Sequence, residues 1–322
     1  MILFYLVVIL FFSFILIKAT DVLIINLKAL AIRTRLGKFA VTELLLALAT
    51  SLPEYFVGIT AALKQTPALS LGNVLGANIA NLSLVIGGGA LIGGTIFVQG
   101  NLLSQNILYA ALTGSAPLFL LLDKSLSRID GFILLLLYGF YQVNVFRERE
   151  KGKIDLGEEG FVQRLLRRLN HRSARREIGW IFLGAALLLF SADMIVRSSI
   201  GLATLINVPV LLIGLILISI GTTLPELVFG IEAVKQHQPG MVLGNLLGSI
   251  VTNATLVIGT VALICPIEVV AFNEYLLATL TFFIVFSSFF LFVRSKRRLD
   301  RWEGLVLIIF YLMFALAEFL RS

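Results

Sequence analysis

Along this chain long apolar runs alternate with short polar punctuation. Ten segments are mainly apolar: residues 2–20, 39–63, 69–94, 102–122, 129–146, 177–200, 208–234, 241–264, 271–293 and 302–320. Most reach the ~20 residues that a helix needs to cross the hydrocarbon core of a bilayer. In lipid the backbone must satisfy its own polar groups, so each run is predicted to be a helix. The predicted fold class is therefore an all-α membrane protein with ten transmembrane helices. The runs split five and five around a polar stretch, residues 147–176, which holds ten Lys and Arg. Within it GFVQRLLRRL has the pattern of a short amphipathic helix. The N-terminal run MILFYLVVILFF lacks a basic leader and a small-residue cleavage site, and reads as a retained first span.

The pattern also repeats. ATSLPEYFVGITAALKQTPALSLGNVLGANIANLSLVIG, from Ala49 to Gly87, aligns without a gap onto GTTLPELVFGIEAVKQHQPGMVLGNLLGSIVTNATLVIG, from Gly221 to Gly259. The offset is 172 residues, since 221 − 49 = 172. Outside the motif Asp21 matches Asp193 and Leu30 matches Leu202 at the same offset, and Asp130-Gly131 matches Glu303-Gly304 at 173. Residues 1–146 and 177–322 thus read as two copies of a five-helix unit joined by the linker 147–176. Five is odd, so the second copy enters the membrane from the opposite side, giving inverted-topology repeats.

Loop charge tests that inversion independently. The loop after the first run carries Lys28, Arg33, Arg35 and Lys38, whereas its counterpart in the second half has only Arg197. The loop between runs four and five has Lys124 and Arg128. Its counterpart between runs nine and ten has Arg294, Lys296, Arg297, Arg298 and Arg301. Paired loops differ in basicity, as inverted copies should. Placing the basic loops in the cytoplasm puts both termini outside, with the linker cytoplasmic, in the cell (inner) membrane.

Composition agrees with this class: 58% of residues are hydrophobic and 14% charged, with a mean hydropathy of +0.98. The net charge of +7 is concentrated in short loops beside apolar runs, which is a topology signal rather than a nucleic-acid surface. The single cysteine, Cys265, excludes an intrachain disulfide and a thiolate metal site. His171 and His237 fall in or near polar loops and read as solvated residues.

The motif carries the chemistry. Glu54 and Glu226 are carboxylates inside apolar helices, each directly after a proline. Such groups are costly in a membrane and mark ion sites when they recur at matching positions of two repeats. Pro53 and Pro225 lack an N–H, so the carbonyls of Ala49 and Gly221 lose their helical partners. A freed carbonyl is tolerated where it lines a cavity or holds an ion. Thr50 stands four residues before Glu54, and Thr222 four before Glu226, so hydroxyl, carbonyl and carboxylate share a helix face. Further on, Gly72 and Gly76, then Gly244 and Gly248, form small-x-x-x-small steps for close helix packing. The stripes Asn73, Ala77, Asn81 and Asn245, Ser249, Asn253 add amide oxygens without charge. Taken singly, these features are a kink, a packing step and interhelical hydrogen bonds. Their joint recurrence points to one shared site of hard oxygen ligands, suited to Ca²⁺ or Na⁺ and unsuited to zinc or copper. Asp21 and Asp193 lie near run ends and read as interfacial or capping residues. Glu43, whose counterpart is Leu215, reads as structural.

At these residues the chain resembles the Ca²⁺/cation antiporter superfamily, which includes the Na⁺/Ca²⁺ exchangers. Its paired α-repeats carry G-T-S-L-P-E followed by G-N-x-x-G-S-N-x-x-N/D. The resemblance implies a 5+5 inverted-repeat fold with ions bound between spans 2, 3, 7 and 8, across which spans 1 and 6 slide. By position it makes Glu54 and Glu226 the central Ca²⁺ ligands. Thr50 and Thr222 supply carbonyl and hydroxyl oxygens. Ser51, Thr223, Ser249, Asn81 and Asn253 flank them in Na⁺ or water sites. Two departures from the pattern matter: Asn253 stands where many Na⁺/Ca²⁺ exchangers have an acid, and Ala77 where the first repeat has serine.

Two carboxylates balance one Ca²⁺, but three Na⁺ would leave an excess positive charge in a low-dielectric site. Protons are the alternative counter-ion, because a buried carboxyl facing a like charge can take up H⁺ when the metal leaves. The expectation is a secondary antiporter moving Ca²⁺ against a monovalent cation by alternating access. Na⁺ stands ahead of H⁺ because Thr50, Ser51, Thr222, Thr223 and Ser249 remain. A passive cation channel and a transporter of another solute are the competing classes. No cofactor and no enzymatic nucleophile–base pair is visible. The expected partners are the lipid bilayer and the transported ions, with no nucleic acid.

Overall fold

The computed structural model describes residues 1–33, 50–97, 101–151, 174–235 and 239–321. Helix follows helix, because uninterrupted apolar runs leave the backbone no partner but itself. In the first half α1 is Ile2–Arg33, α2 is Leu52–Leu63, α4 is Asn101–Leu120 and α5 is Arg128–Lys151. Between them α3 runs from Pro67 to Gly93. In the second half α6 is Ala174–Ile206, α9 is Phe272–Lys296 and α10 is Arg301–Arg321. Residues 210–235 make α7 and residues 239–264 make α8. Six of these helices are long and apolar enough to cross a membrane, or seven if the bent α7 is one span. That bend is 49°, between Val210–Leu224 and Glu226–Lys235.

Burial sorts the helices into two layers. The most apolar stretch of α3 is 83% buried and that of α8 72%, against 22% for α1 and 28% for α6. The central pair is therefore enclosed by protein, while α1 and α6 leave Phe4, Phe11, Phe182 and Phe190 exposed for lipid. α1 and α6 pack on each other through Ile9, Leu16, Ala19 and Leu23 against Leu188, Ala192, Ile195 and Val196. Their shared cluster reaches the core at Val57, Leu69, Ile213 and Ile218. Both helices run well past the predicted ends at residues 20 and 200, to Arg33 and Ile206. Asp21 and Asp193 consequently lie within helices. Asp193 does not act as a cap: it accepts from Lys64, at the end of α2, and from Arg197, each at 2.7 Å. Asp21 pairs with Lys18 at 3.7 Å on an exposed face.

The two halves contact each other reciprocally. Two short antiparallel ladders form: β1 (Ile96–Phe97) pairs with β4 (Arg298–Leu299), and β2 (Ser125–Leu126) pairs with β3 (Ile267–Glu268). Ile96 lies opposite Leu299, and Ile267 opposite Leu126, so one buried pair repeats with its halves exchanged. The offsets are 267 − 96 = 171 and 299 − 126 = 173. Helix crossings behave alike. A Cβ on Gly87 would strike the carbonyl of Gly304 and one on Gly304 the carbonyl of Gly87, while Gly131 and Gly259 block each other in the same way. The same twins recur at turns: Lys124 and Arg297 both take the left-handed conformation, with φ of 68° and 51°. Just beyond, Asp130 accepts from the Ser127 N–H and Glu303 from the Asp300 N–H, both at 2.9 Å, capping α5 and α10.

Glycine also sets the closest approach of α3 to α7. A Cβ on Gly72 would meet the carbonyl of Leu211, one on Gly76 that of Leu215, and one on Gly214 that of Leu69. The first small-x-x-x-small step is thus a backbone contact. The amphipathic stretch in the linker, Glu43, His171, His237 and residues 39–49 of the predicted second span lie outside the described residues.

Gly72→Ala is expected to destabilise the protein by roughly 1–3 kcal/mol, the usual cost of overpacking. Gly139→Ala, at an exposed position with open space around it, is expected to be neutral. Thermal unfolding in detergent micelles checks both.

Candidate functional site

The polar residues of the motif converge where α2, α3, α7 and α8 meet. Glu54 is 1% exposed and Glu226 4%, although both belong to a residue type that is almost never buried unpaired. Ser51, Thr222, Thr223, Asn81, Asn253, Ser249 and Ala77 are buried too, and Thr50 is half-buried. Glu54 and Glu226 lie within electrostatic range of each other. One oxygen of each carboxylate, Oε2, is buried without a hydrogen-bond partner among the described residues. The same holds for Ser51 Oγ, Thr223 Oγ1, Asn81 Oδ1 and Asn253 Oδ1. Buried polar atoms are normally satisfied. These six oxygens, two of them on carboxylates, are acceptors that a cation can use.

Local structure explains how α3 and α8 aim these groups. Both helices change from α to π geometry at the motif's terminal asparagine, over Asn81–Val85 and Asn253–Val257. In each turn the asparagine carbonyl accepts from an N–H five residues on, Ile86 in one copy and Ile258 in the other. Within these turns a hydroxyl caps an upstream carbonyl in both copies: Ser83 donates to Ile79 at 2.5 Å, and Thr255 to Val251 at 2.6 Å. Single π-turns inside α-helices cluster at functional sites, because the extra residue rotates the side chains beyond it. A third, Gly214–Ile218, lies in α7 where α3 presses closest.

The two prolines differ in context. Pro225 lies inside α7 at its bend, as expected of an interior kink. Pro53 instead stands in the first turn of α2, which starts at Leu52 after a turn at Thr50 and Ser51. There its missing N–H is no loss, since first-turn N–H groups have no helical partner. Glu54 thus sits in the opening turn, where the helix dipole favours negative charge.

Contacts across the repeats break the symmetry. Thr50 and Ser249 share a hydroxyl–hydroxyl hydrogen bond of 3.0 Å. The equivalent contact would join Thr222 to residue 77, which is alanine. Thr222 turns instead to Asn73, donating to its Oδ1 at 3.4 Å. Likewise Asn253 Nδ2 donates to Asn78 Oδ1 at 3.2 Å, and Asn78 has Ile250 as its twin. The packing glycines diverge as well: Gly72 and Gly76 are buried against α7, whereas Gly244 is exposed and Gly248 half-buried among the described residues.

Asn73 and Asn78 belong to the site although the motif alone does not place them there. In the sequence Asn73 is only part of a stripe. Asn78 matches an asparagine of the antiporter pattern, and its counterpart in the second copy is isoleucine. Cys265 lies apart from the cluster, within 3.5 Å of Gln65. Among the described residues no group of three or more His, Cys, Asp or Glu comes together, so the acidic part of the site is the pair alone.

Carboxylates buried at the centre of a helical membrane bundle mark an ion or substrate pathway. The chain belongs to the sodium/calcium exchanger protein family, which matches residues 4–147 and again residues 177–320. It is 28% identical to the sodium/calcium exchanger MaX1 of Methanosarcina acetivorans, over 94% of this chain and 95% of that one. It is 31% identical to the inner membrane protein YrbG of Escherichia coli, over 69% of this chain and 68% of that one. Its fold superposes on a solved structure of the sodium–calcium exchanger NCX_Mj with a TM-score of 0.61 and 24% identity, covering 98% of this chain and 99% of that one.

Ala77→Ser is expected to fold normally and to give Thr222 the partner that Ser249 gives Thr50. One added hydrogen bond is expected to raise stability by ~1 kcal/mol. Thermal unfolding in detergent micelles measures it.

Proposed function

We propose that the protein is a secondary antiporter that exchanges Ca²⁺ for Na⁺ by alternating access. The observation that carries this reading is the buried pair, Glu54 and Glu226, each with an oxygen that has no hydrogen-bond partner among the described residues. One Ca²⁺ between them neutralises both charges. The hydroxyls of Thr50, Ser51, Thr222, Thr223 and Ser249 and the amides of Asn81 and Asn253 complete a set of hard oxygen ligands. These side chains come from four helices of both halves, so a rearrangement of the halves changes access to the ions.

The architecture proposed with it is ten transmembrane helices, arranged as inverted five-helix repeats at 1–146 and 177–322. The linker 147–176 is cytoplasmic and both termini are outside. The exchanged ladders Ile96–Leu299 and Leu126–Ile267 support a two-fold relation of the repeats. Unequal basicity of the paired loops supports the inversion.

H⁺ is the second reading of the counter-ion, and Asn253 favours it. With asparagine there, the site has two formal charges, and three Na⁺ would exceed them by one.

Ca²⁺ uptake into proteoliposomes under an imposed Na⁺ gradient, then under a pH gradient, separates the two. Uptake driven by Na⁺ is the expected outcome; uptake driven only by pH would assign H⁺. Ca²⁺ flux that persists with no counter-ion on the opposite side would make the protein a channel. Glu54→Gln and Glu226→Gln are each expected to reduce Ca²⁺ exchange by about 100-fold or more, the scale of breaking a buried ion pair. Normal exchange by either variant would remove the carboxylate pair from the mechanism.

A further inference from the structure

Asn253 raises a problem that an acid in its place would not. A carboxylate presents acceptor oxygens whichever way it turns, whereas an amide has an oxygen on one side and an NH₂ on the other. Rotation by half a turn would aim two donor hydrogens at a bound cation. A neutral asparagine is a better oxygen ligand when something behind it fixes which way it points.

The structure supplies that group. Asn253 begins the π-turn of α8 and is 1% exposed. Its Nδ2 donates to Asn78 Oδ1, on α3, at 3.2 Å. Its own Oδ1 is buried and has no partner among the described residues. Asn78 is itself 1% exposed. At the twin position in α8 stands Ile250, so the site carries this polar contact on one side only. A buried amide used simply to join helices could sit in either copy. An amide needed to orient Asn253 must sit in α3.

We propose that Asn78 is a positioning residue. Its carbonyl oxygen holds the NH₂ of Asn253 away from the cation path, so that the Asn253 carbonyl oxygen faces the site. The pair lets a neutral residue donate an oxygen ligand without adding a third charge. This rests on the exchanger reading above, and deepens it by naming the residue that makes a neutral ligand competent.

The test is a double-mutant cycle read as the half-saturating Ca²⁺ concentration for exchange in proteoliposomes. Asn78→Leu alone is expected to raise that concentration about tenfold, the equivalent of one lost charge-assisted contact, with the maximal rate largely kept. In an Asn253→Asp background, whose carboxylate needs no orientation, the same Asn78→Leu change is expected to shift it by less than about twofold. Equal shifts in the two backgrounds would overturn the proposal and leave Asn78 as a packing residue between helices. If leucine prevents folding, judged by thermal unfolding in detergent, Asn78→Ala takes its place in the cycle: unequal shifts support the positioning role and equal shifts overturn it. Wild-type protein assayed in parallel keeps the two layers apart. No Ca²⁺ exchange by wild type overturns the exchanger reading, whereas normal wild-type exchange with equal shifts overturns only the role of Asn78.

Discussion

Two carboxylates buried side by side are the constraint on which the rest of this structure depends. Glu54 and Glu226 are removed from water, and each lies in the other's field. An uncompensated buried charge costs several kcal/mol. Among the described residues no basic side chain is paired with either carboxylate, and the ion pair of Lys64 with Asp193 is at the far end of α2. On the exchanger reading the compensation comes from a cation that enters and leaves. That requirement explains why the surrounding groups are oxygens without partners, since satisfied oxygens would have nothing to offer an ion. It also explains why the site lies between helices from both halves, where a change in their packing can open it.

Holding unsatisfied oxygens inside a membrane protein demands a rigid frame, and the reciprocal contacts provide it. Gly87 against Gly304 and Gly131 against Gly259 fix α3 on α10 and α8 on α5 at backbone distance. The exchanged ladders tie the ends of α3 and α8 to the opposite half. Within that frame α3 and α8 both change to π geometry at Asn81 and Asn253. α1 and α6 stand outside it. They bury little of their length, pack mainly on one another, and meet the core through a mostly apolar seam that the Lys64–Asp193 bridge crosses. On the exchanger reading, a seam with few directional contacts suits elements that slide across a rigid core.

Much of this is legible in the sequence because the repeat doubles every signal. A lone Pro-Glu or a lone G-x-x-x-G is common; both together, twice, at one offset, are not. The residues of the site can therefore be named before any helix is placed. What the repeat cannot reveal is whatever breaks it. Asn78 escapes because its twin is Ile250, and comparison of the copies discards such positions. Pro53 reads as an interior kink by analogy with Pro225, but whether a proline starts a helix or bends one depends on the residues before it and on tertiary packing. The π-turns escape for another reason. They go with hydroxyls such as Ser83 and Thr255 capping upstream carbonyls, a pattern that serine and threonine also adopt in ordinary α-helices. The length of α1 exceeds its apolar run because Lys18 and Asp21 look like a span end. In the structure each is half of an ion pair one turn along a continuing helix.

The symmetric and asymmetric parts of the site divide along a physical line. Everything charged is symmetric: Glu54 has Glu226, each four residues after a threonine. Everything asymmetric is neutral: Ala77 against Ser249, Asn78 against Ile250, and Thr222 bonded to Asn73 where Thr50 bonds Ser249. Altering a buried charge changes the energy of the site by several kcal/mol, whereas exchanging one neutral hydrogen-bonding group for another changes it by about one. Neutral positions can therefore diverge without dismantling the carboxylate pair. On the exchanger reading, the pair fixes that a divalent ion is carried, and the neutral residues around it adjust which monovalent ion takes its place. The departures from the repeat then fall where selectivity for the counter-ion can be tuned at least cost to the fold.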